Sequence, residues 1–172
     1  MAHQIYQVEG IILKKAGFGE ADNLCYIYTR QFGMIMASAK SIRLEKSKLR
    51  NHLDLFSFGR FGIINAKEMW RIVDAEKILS APESSNDLKM FAEMTGLILR
   101  MVKGEEANEA LWKSLFSFFC YILEEKDVEK KKNIQIESTA LVMRALGYME
   151  DMPASQSETV SAINKAIAES ML

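Results

Sequence analysis

The 172 residues carry 22 Lys/Arg and 23 Asp/Glu, and 49% are hydrophobic, enough for one ordinary core or two small ones, which speaks against a disordered chain. No apolar run approaches the roughly 20 residues that cross a bilayer, and MAHQIYQVEG shows neither a basic nor an apolar leader segment, so a soluble cytoplasmic protein is expected. The near-zero net charge hides a division, because residues 1–60 hold nine basic and five acidic side chains whereas the remainder holds 13 and 18, the pattern of two regions with different partners.

The first 78 residues read as strands. Ile5 to Lys14 is β-branched and aliphatic, LCYIYT over Leu24–Thr29 alternates with aromatics, and MIMASA over Met34–Ala39 is short and apolar. Gly17 and Gly19 separate the first run from the second, and Gly33 permits a tight hairpin between the second and third. LFSFGRFGIINA and EMWRIVDAEKIL supply two more extended runs. Five short strands with no useful helix among them predict a small closed antiparallel barrel.

At Ala81-Pro82-Glu83-Ser84-Ser85-Asn86 the pattern changes to a period of 3.6, which marks a domain boundary. Leu88, Phe91, Met94, Ile98, Met101 and Val102 predict a first helix, with Asn86 as N-cap and Gly104 beyond its end. Leu111, Leu115, Phe118, Phe119 and Ile122 predict a second. A third follows from Ile136, Ala140, Met143 and Leu146, stopped at Gly147. A fourth follows from Val160, Ile163, Ala166, Ile167 and Met171 after a cap at Ser157. The charge run EEKDVEKKK from Glu124 to Lys132 reads as a solvated link. The abundant methionines (Met34, Met36, Met94, Met101, Met143) read as core filling, although an exposed Met- and Phe-rich groove in the helical half would suit a partner peptide.

Catalytic patterns are missing. His3 and His52 stand alone, and no Walker A loop, G-x-G-x-x-G or G-x-S-x-G occurs, so no enzyme, cofactor or metal is expected. Cys25 and Cys120 are far apart with no His or second Cys nearby; they write no disulfide framework or zinc knuckle and read as buried small residues. Glu20 and Asp22 after the Gly turn are better placed to accept backbone hydrogen bonds than to act as a carboxylate pair.

The informative stretch is ASAKSIRLEKSKLR, where Lys40, Arg43, Lys46, Lys48 and Arg50 accompany the single acid Glu45. It leaves the third strand and crosses to the fourth, a mobile surface connection on which a phosphate backbone can displace counterions. Lys14, Lys15 and Arg30 are weaker contributors. Among the ring side chains Phe18, Tyr26, Tyr28, Phe32, Phe56, Phe58 and Phe61, exposed ones would stack on bases. Tyr26 and Tyr28 share one strand face opposite Cys25 and Ile27, so an aliphatic interior turns both tyrosines outward.

Forty consecutive residues, GIILKKAGFGEADNLCYIYTRQFGMIMASAKSIRLEKSKL, resemble the opening of the bacterial RecO family. Its G-I/V-V-L strand, G-E-x-D turn, L-T-x-x-x-G hairpin and K-G-x-R-x-x-x-S-x-L segment fall here at Gly10 to Leu13, Gly19 to Asp22, Tyr28-Thr29 through Gly33, and Lys40 through Leu49. LWKSLFSFF and LVMRALGYMEDMPA look like the family's helix pair and its close at Gly147-Tyr148 and Pro153. The resemblance implies an α+β two-domain chain, with an N-terminal OB-fold over residues 1–78 and an all-α helical domain over 79–172.

By the same resemblance, the OB-fold binds single- and double-stranded DNA, and the whole anneals strands without ATP. It binds the tail of the single-stranded-DNA-binding protein and works with RecR to load RecA in recombinational DNA repair, at the nucleoid. Lys40, Arg43 and Ser47 match the family's basic segment; Lys46, Lys48 and Arg50 are added on electrostatic grounds. Ser41 stands where the family has Gly. No Cys follows Cys120, so the four-Cys zinc ribbon of many members is not expected. The rival expectation is an OB-fold module that docks on protein and has lost productive DNA binding.

Overall fold

The computed structural model describes residues 4–67 and 69–170; His3, Glu68 and Met171, named above, lie outside them. Two compact units divide between Glu83 and Ser84, and the connector Lys103–Ala107 belongs with the first.

The first unit holds β1 (Ile5–Phe18), β2 (Asp22–Thr29), β3 (Gly33–Ala39), β4 (Phe58–Ala66) and β5 (Met69–Leu79), closed in the order β1-β2-β3-β5-β4. Four pairings are antiparallel, but Ala37–Ala39 run parallel to Trp70–Ile72. β3 and β4 are consecutive in the chain but are separated in the barrel by β5, so the chain crosses through a long connector, residues 40–57, which includes a single 3-10 turn at Arg50–His52. This is the five-stranded Greek-key barrel of the OB-fold. Alternation fills the interior with Cys25 and Ile27 from β2 and Ile35, Ala37 and Ala39 from β3, together with Val8, Ile12, Phe61, Ile63 and Ile72.

Register shifts between Ile12 and Lys14, so that Ile12 faces Ile27 and Lys14 faces Tyr26 while Leu13 is the extra residue. A bulge of this kind reverses which side later residues take: Lys14 turns outward, and Lys15, opposite Cys25, turns toward the mouth of the barrel. At the other end Tyr6, Phe32 and Trp70 pack edge to face or tilted, with centroids 5.2–5.7 Å apart. Trp70 Nε1 donates to Glu105 Oε2 at 3.0 Å. Gly33 adopts φ +67°, and a Cβ there would run into the backbone of Glu106, so the hairpin needs glycine twice over.

The second unit holds α1 (Ser85–Met101), α2 (Glu109–Glu124), α3 (Val128–Ala145) and α4 (Gln156–Ser170). Its core gathers Phe91 against Phe118 and Phe119, with centroids 5.2 and 5.0 Å away. The N-cap of α1 is Ser84, whose hydroxyl accepts from Asp87 N–H at 3.1 Å, and not Asn86; the chain is already helical by Asn86. For α4 the cap is Ser155 and not Ser157: Ser155 Oγ accepts from Glu158 N–H, and Glu158 Oε2 accepts from Ser155 N–H, a reciprocal capping box.

The charge run from Glu124 to Lys132 is not a solvated link throughout, because α3 begins at Val128. Lys131 is 8% exposed and its Nζ meets both carboxylate oxygens of Asp87, itself 8% exposed, at 2.7 and 2.8 Å. A buried ammonium is tolerated only with such a partner. Among the methionines, Met94 and Met143 are core as expected, whereas Met36 is 37% exposed. Among the described residues no helix is long and apolar enough to cross a membrane.

Candidate nucleic-acid interface

The connector after β3 is built on buried anchors. Ile42 is 3% exposed within the barrel core, Leu53 is fully buried, and partly buried Leu49 packs against the same core. Successive turns join them: Leu44 N–H donates to Ser41 O, Ser47 N–H to Leu44 O, Arg50 N–H to Ser47 O and His52 N–H to Leu49 O, at 3.0–3.3 Å. Two bonds tie its start to the β1–β2 turn: Ser41 N–H donates to Asp22 Oδ1 at 2.7 Å, and Arg43 N–H to Ala21 O at 3.0 Å. At its far end His52 Nδ1 accepts from Lys77 N–H, and Lys77 Nζ reaches Asp54 Oδ2 at 2.7 Å. The mobile connection expected from the sequence is therefore a pinned one; apolar side chains every few residues hold what the charge count alone describes as a floating loop.

Pinning sets the cations. Lys15, Arg43 and Arg50 line one cleft of about 400 Å³ at the barrel mouth, together with Asn23, Ile42 and Asp54. The Arg43 guanidinium reaches over Gly17, with Nη1 3.9 Å from where a Cβ would sit. Lys40, Lys46 and Lys48 are exposed on the same connector and Ser47 is half-buried, but none of these four lines the cleft. Among the described residues Lys15, Lys40, Arg43, Lys46, Lys48 and Arg50 make no ion pair within 4 Å, so their charge is uncompensated. Asp54, the one carboxylate on the cleft, is engaged by Lys77. Close by, burial pushes the Cys25 thiol up to about 11, against the opposing pull of Lys15.

A second surface lies on the outer side of the same strands. Lys14 on β1, Tyr26 on β2 and Met36 on β3 are cross-strand neighbours, with Lys14 Nζ 5.3 Å from the Tyr26 ring centroid. This cation–π contact and the half-exposed ring form a platform on which a base can stack. Tyr28 takes the same outward side but offers nothing to a ligand. It has no exposed surface, its neighbour Ile11 is equally buried, and burial pushes its phenol up to about 12. Strand alternation predicts direction and not cover, which is why the two tyrosines part.

Arg30 is also separated from the rest. It sits in the β2–β3 hairpin, at the end of β2 opposite Asp22, about 23 Å along the strand from the connector. Phe32 belongs to the aromatic cluster there. Two further residues lie on the strands that carry these surfaces. Phe18 is 46% exposed at the end of β1, and its position between two turn glycines was the available signal. Arg71, beside Ser38 on the β3–β5 pair, has a buried Nε with no hydrogen-bond partner among the described residues; in a strand that also carries Asp74, Glu76 and Lys77 its charge gave no signal.

A closed OB-type barrel carrying this basic connector can be compared with known families. The family model described as Recombination protein O N terminal matches residues 1–81. The chain belongs to the RecO family. Among its RecO relatives, the DNA repair protein RecO of Gloeothece citriformis is 34% identical over 113 residues, 64% of this chain and 40% of that protein. The DNA repair protein RecO of a Synechocystis species is 34% identical over 125 residues, 72% and 45% of the two chains. That of a Dehalococcoides mccartyi strain is 30% identical over 122 residues, 71% and 48%. Each match spans less than half of the relative's length. Against the RecO pattern Ser41 keeps a backbone that glycine takes freely, at φ +55°, and the Asp22 carboxylate of the G-E-x-D turn is what its N–H bonds.

Proposed function

We propose that this chain is a DNA-binding mediator of recombinational DNA repair that works by binding and carries out no chemical step. It holds single-stranded DNA, and double-stranded DNA with it, anneals complementary strands, and assists the loading of RecA together with RecR, with the tail of the single-stranded-DNA-binding protein as a further partner at the nucleoid. One observation carries the reading: in a RecO-family barrel, Lys15, Arg43 and Arg50 converge on one cleft whose carboxylate, Asp54, is engaged by Lys77. Uncompensated cations beside a stacking platform are the two elements that sequence-tolerant single-strand binding uses. The relatives' shared description as DNA repair proteins supports the same reading.

The test is a fluorescence-anisotropy titration of a labelled oligonucleotide at low salt, followed by a strand-annealing assay. Lys40→Glu with Arg43→Glu removes most of the affinity while the thermal melt stays that of the parent. Unchanged binding by this variant removes the interface. Absence of oligonucleotide binding by the parent, with a salt-insensitive protein complex in its place, favours a protein-docking module instead.

A further inference from the structure

The two cationic surfaces differ in shape, and the difference bears on which part of a nucleic acid each takes. The outer platform of Lys14, Tyr26 and Met36 follows a strand-to-strand row and presents one cation to whatever crosses it. The cleft is a recess lined by buried Ile42 together with Lys15, Asn23, Arg43, Arg50 and Asp54. An internal phosphodiester brings one negative charge, less than three unpaired cations around one recess call for. A phosphate monoester brings about 1.5 to 2 negative charges near neutral pH and three acceptor oxygens. Two arginines suit it, because their planar forks pair phosphate oxygens two at a time.

We propose that this recess is a socket for the monoester phosphate at the end of a DNA strand, an inference that rests on the DNA-binding reading above. The main chain that carries the socket is fixed: Arg43 and Arg50 donate their backbone N–H to Ala21 O and Ser47 O, and Ile42 beside Arg43 is anchored in the core. The carboxylate that would repel a phosphate, Asp54, is already paired with Lys77 at 2.7 Å. Lys15 in the socket and Lys14 on the platform are consecutive residues that the Leu13 bulge sends to opposite sides of β1, so the two surfaces share that strand.

The experiment compares the parent chain on oligonucleotides of one sequence bearing a 5′-phosphate, a 3′-phosphate or neither, labelled at the other end, at ~100 mM salt. A fourth oligonucleotide, one nucleotide longer and without a terminal phosphate, controls for the added charge. One phosphorylated end is expected to bind about tenfold tighter than the unphosphorylated strand, or ~1.4 kcal/mol. The longer strand is expected to gain less than about twofold, because a single charge on the open platform is screened. Arg43→Ala with Arg50→Ala is expected to bring the preference to unity while Lys14, Tyr26 and Lys40 still hold the unphosphorylated strand. Equal binding of all four by the parent overturns the socket and leaves the DNA-binding reading standing, as does a preference that survives in the double variant. Failure of the parent to bind any of them overturns both.

Discussion

Removing two guanidinium groups from the cleft has an effect whose size follows from the number of phosphates the interface meets. Lys14, Lys15, Lys40, Arg43 and Arg50 all belong to β1 or to the connector at the same end of the barrel, and each can neutralise about one unit of phosphate charge. Counterion release from single strands gives a slope of log K against log salt of about −0.7 per phosphate, so about −3.5 for the parent and about −2.1 for Arg43→Ala/Arg50→Ala. Between 50 and 200 mM salt the parent then loses about 130-fold in affinity and the variant about 18-fold. Anisotropy titrations with the end-phosphorylated oligonucleotide that binds the tighter, at four or five salt concentrations, read both slopes. A thermal melt shows that the fold is kept, as it should be, since neither guanidinium makes a salt bridge within the described chain. Equal slopes in the two folded proteins would refute the assignment, because the cleft would then lie off the path of the phosphates.

Three further perturbations test the supports behind that surface. Asp22→Ala and Asp22→Asn lose the same charge, but only Asn keeps an acceptor for Ser41 N–H; Ala is expected to be about 1 kcal/mol less stable and several-fold weaker on DNA than Asn, by melt and anisotropy. Gly33→Ala combines φ +67° with a collision against the Glu106 backbone and is expected to cost at least about 2 kcal/mol in urea unfolding. Lys131→Met strands the buried Asp87 carboxylate and is expected to cost about 3–5 kcal/mol, most of it recovered when Asp87→Leu is added, by the same measurement.

The strands were readable because each is a run rich in β-branched, aliphatic or aromatic residues, the first three set apart by Gly19 and Gly33, and the helices because their apolar stripes recur at 3.6 residues. What escaped are features set by neighbours distant in sequence. The Leu13 bulge, which decides the sides of Lys14 and Lys15, arises from pairing β1 at once with β2 and β4. Lys131 looked solvated because its sequence neighbours are charged, while its partner Asp87 lies 44 residues away. Tyr26 and Tyr28 have the same alternation phase and opposite exposure, because phase says nothing about what lies over a face. The connector showed its cations plainly but not their order, since Ile42, Leu49 and Leu53 look unremarkable until they are seen filling the barrel. Ser41 and Asp22 are legible only together: the acid accepts from an amide held in a conformation serine seldom takes.

The stretch Lys103–Ala107 follows α1 in the chain yet completes the barrel, lending Glu105 to Trp70 and a stretch of main chain to Gly33. A chain cut after its first eighty-odd residues would keep the five strands yet leave the Trp70 indole without its carboxylate and the Gly33 hairpin uncovered, so the barrel's full support extends past the first helix.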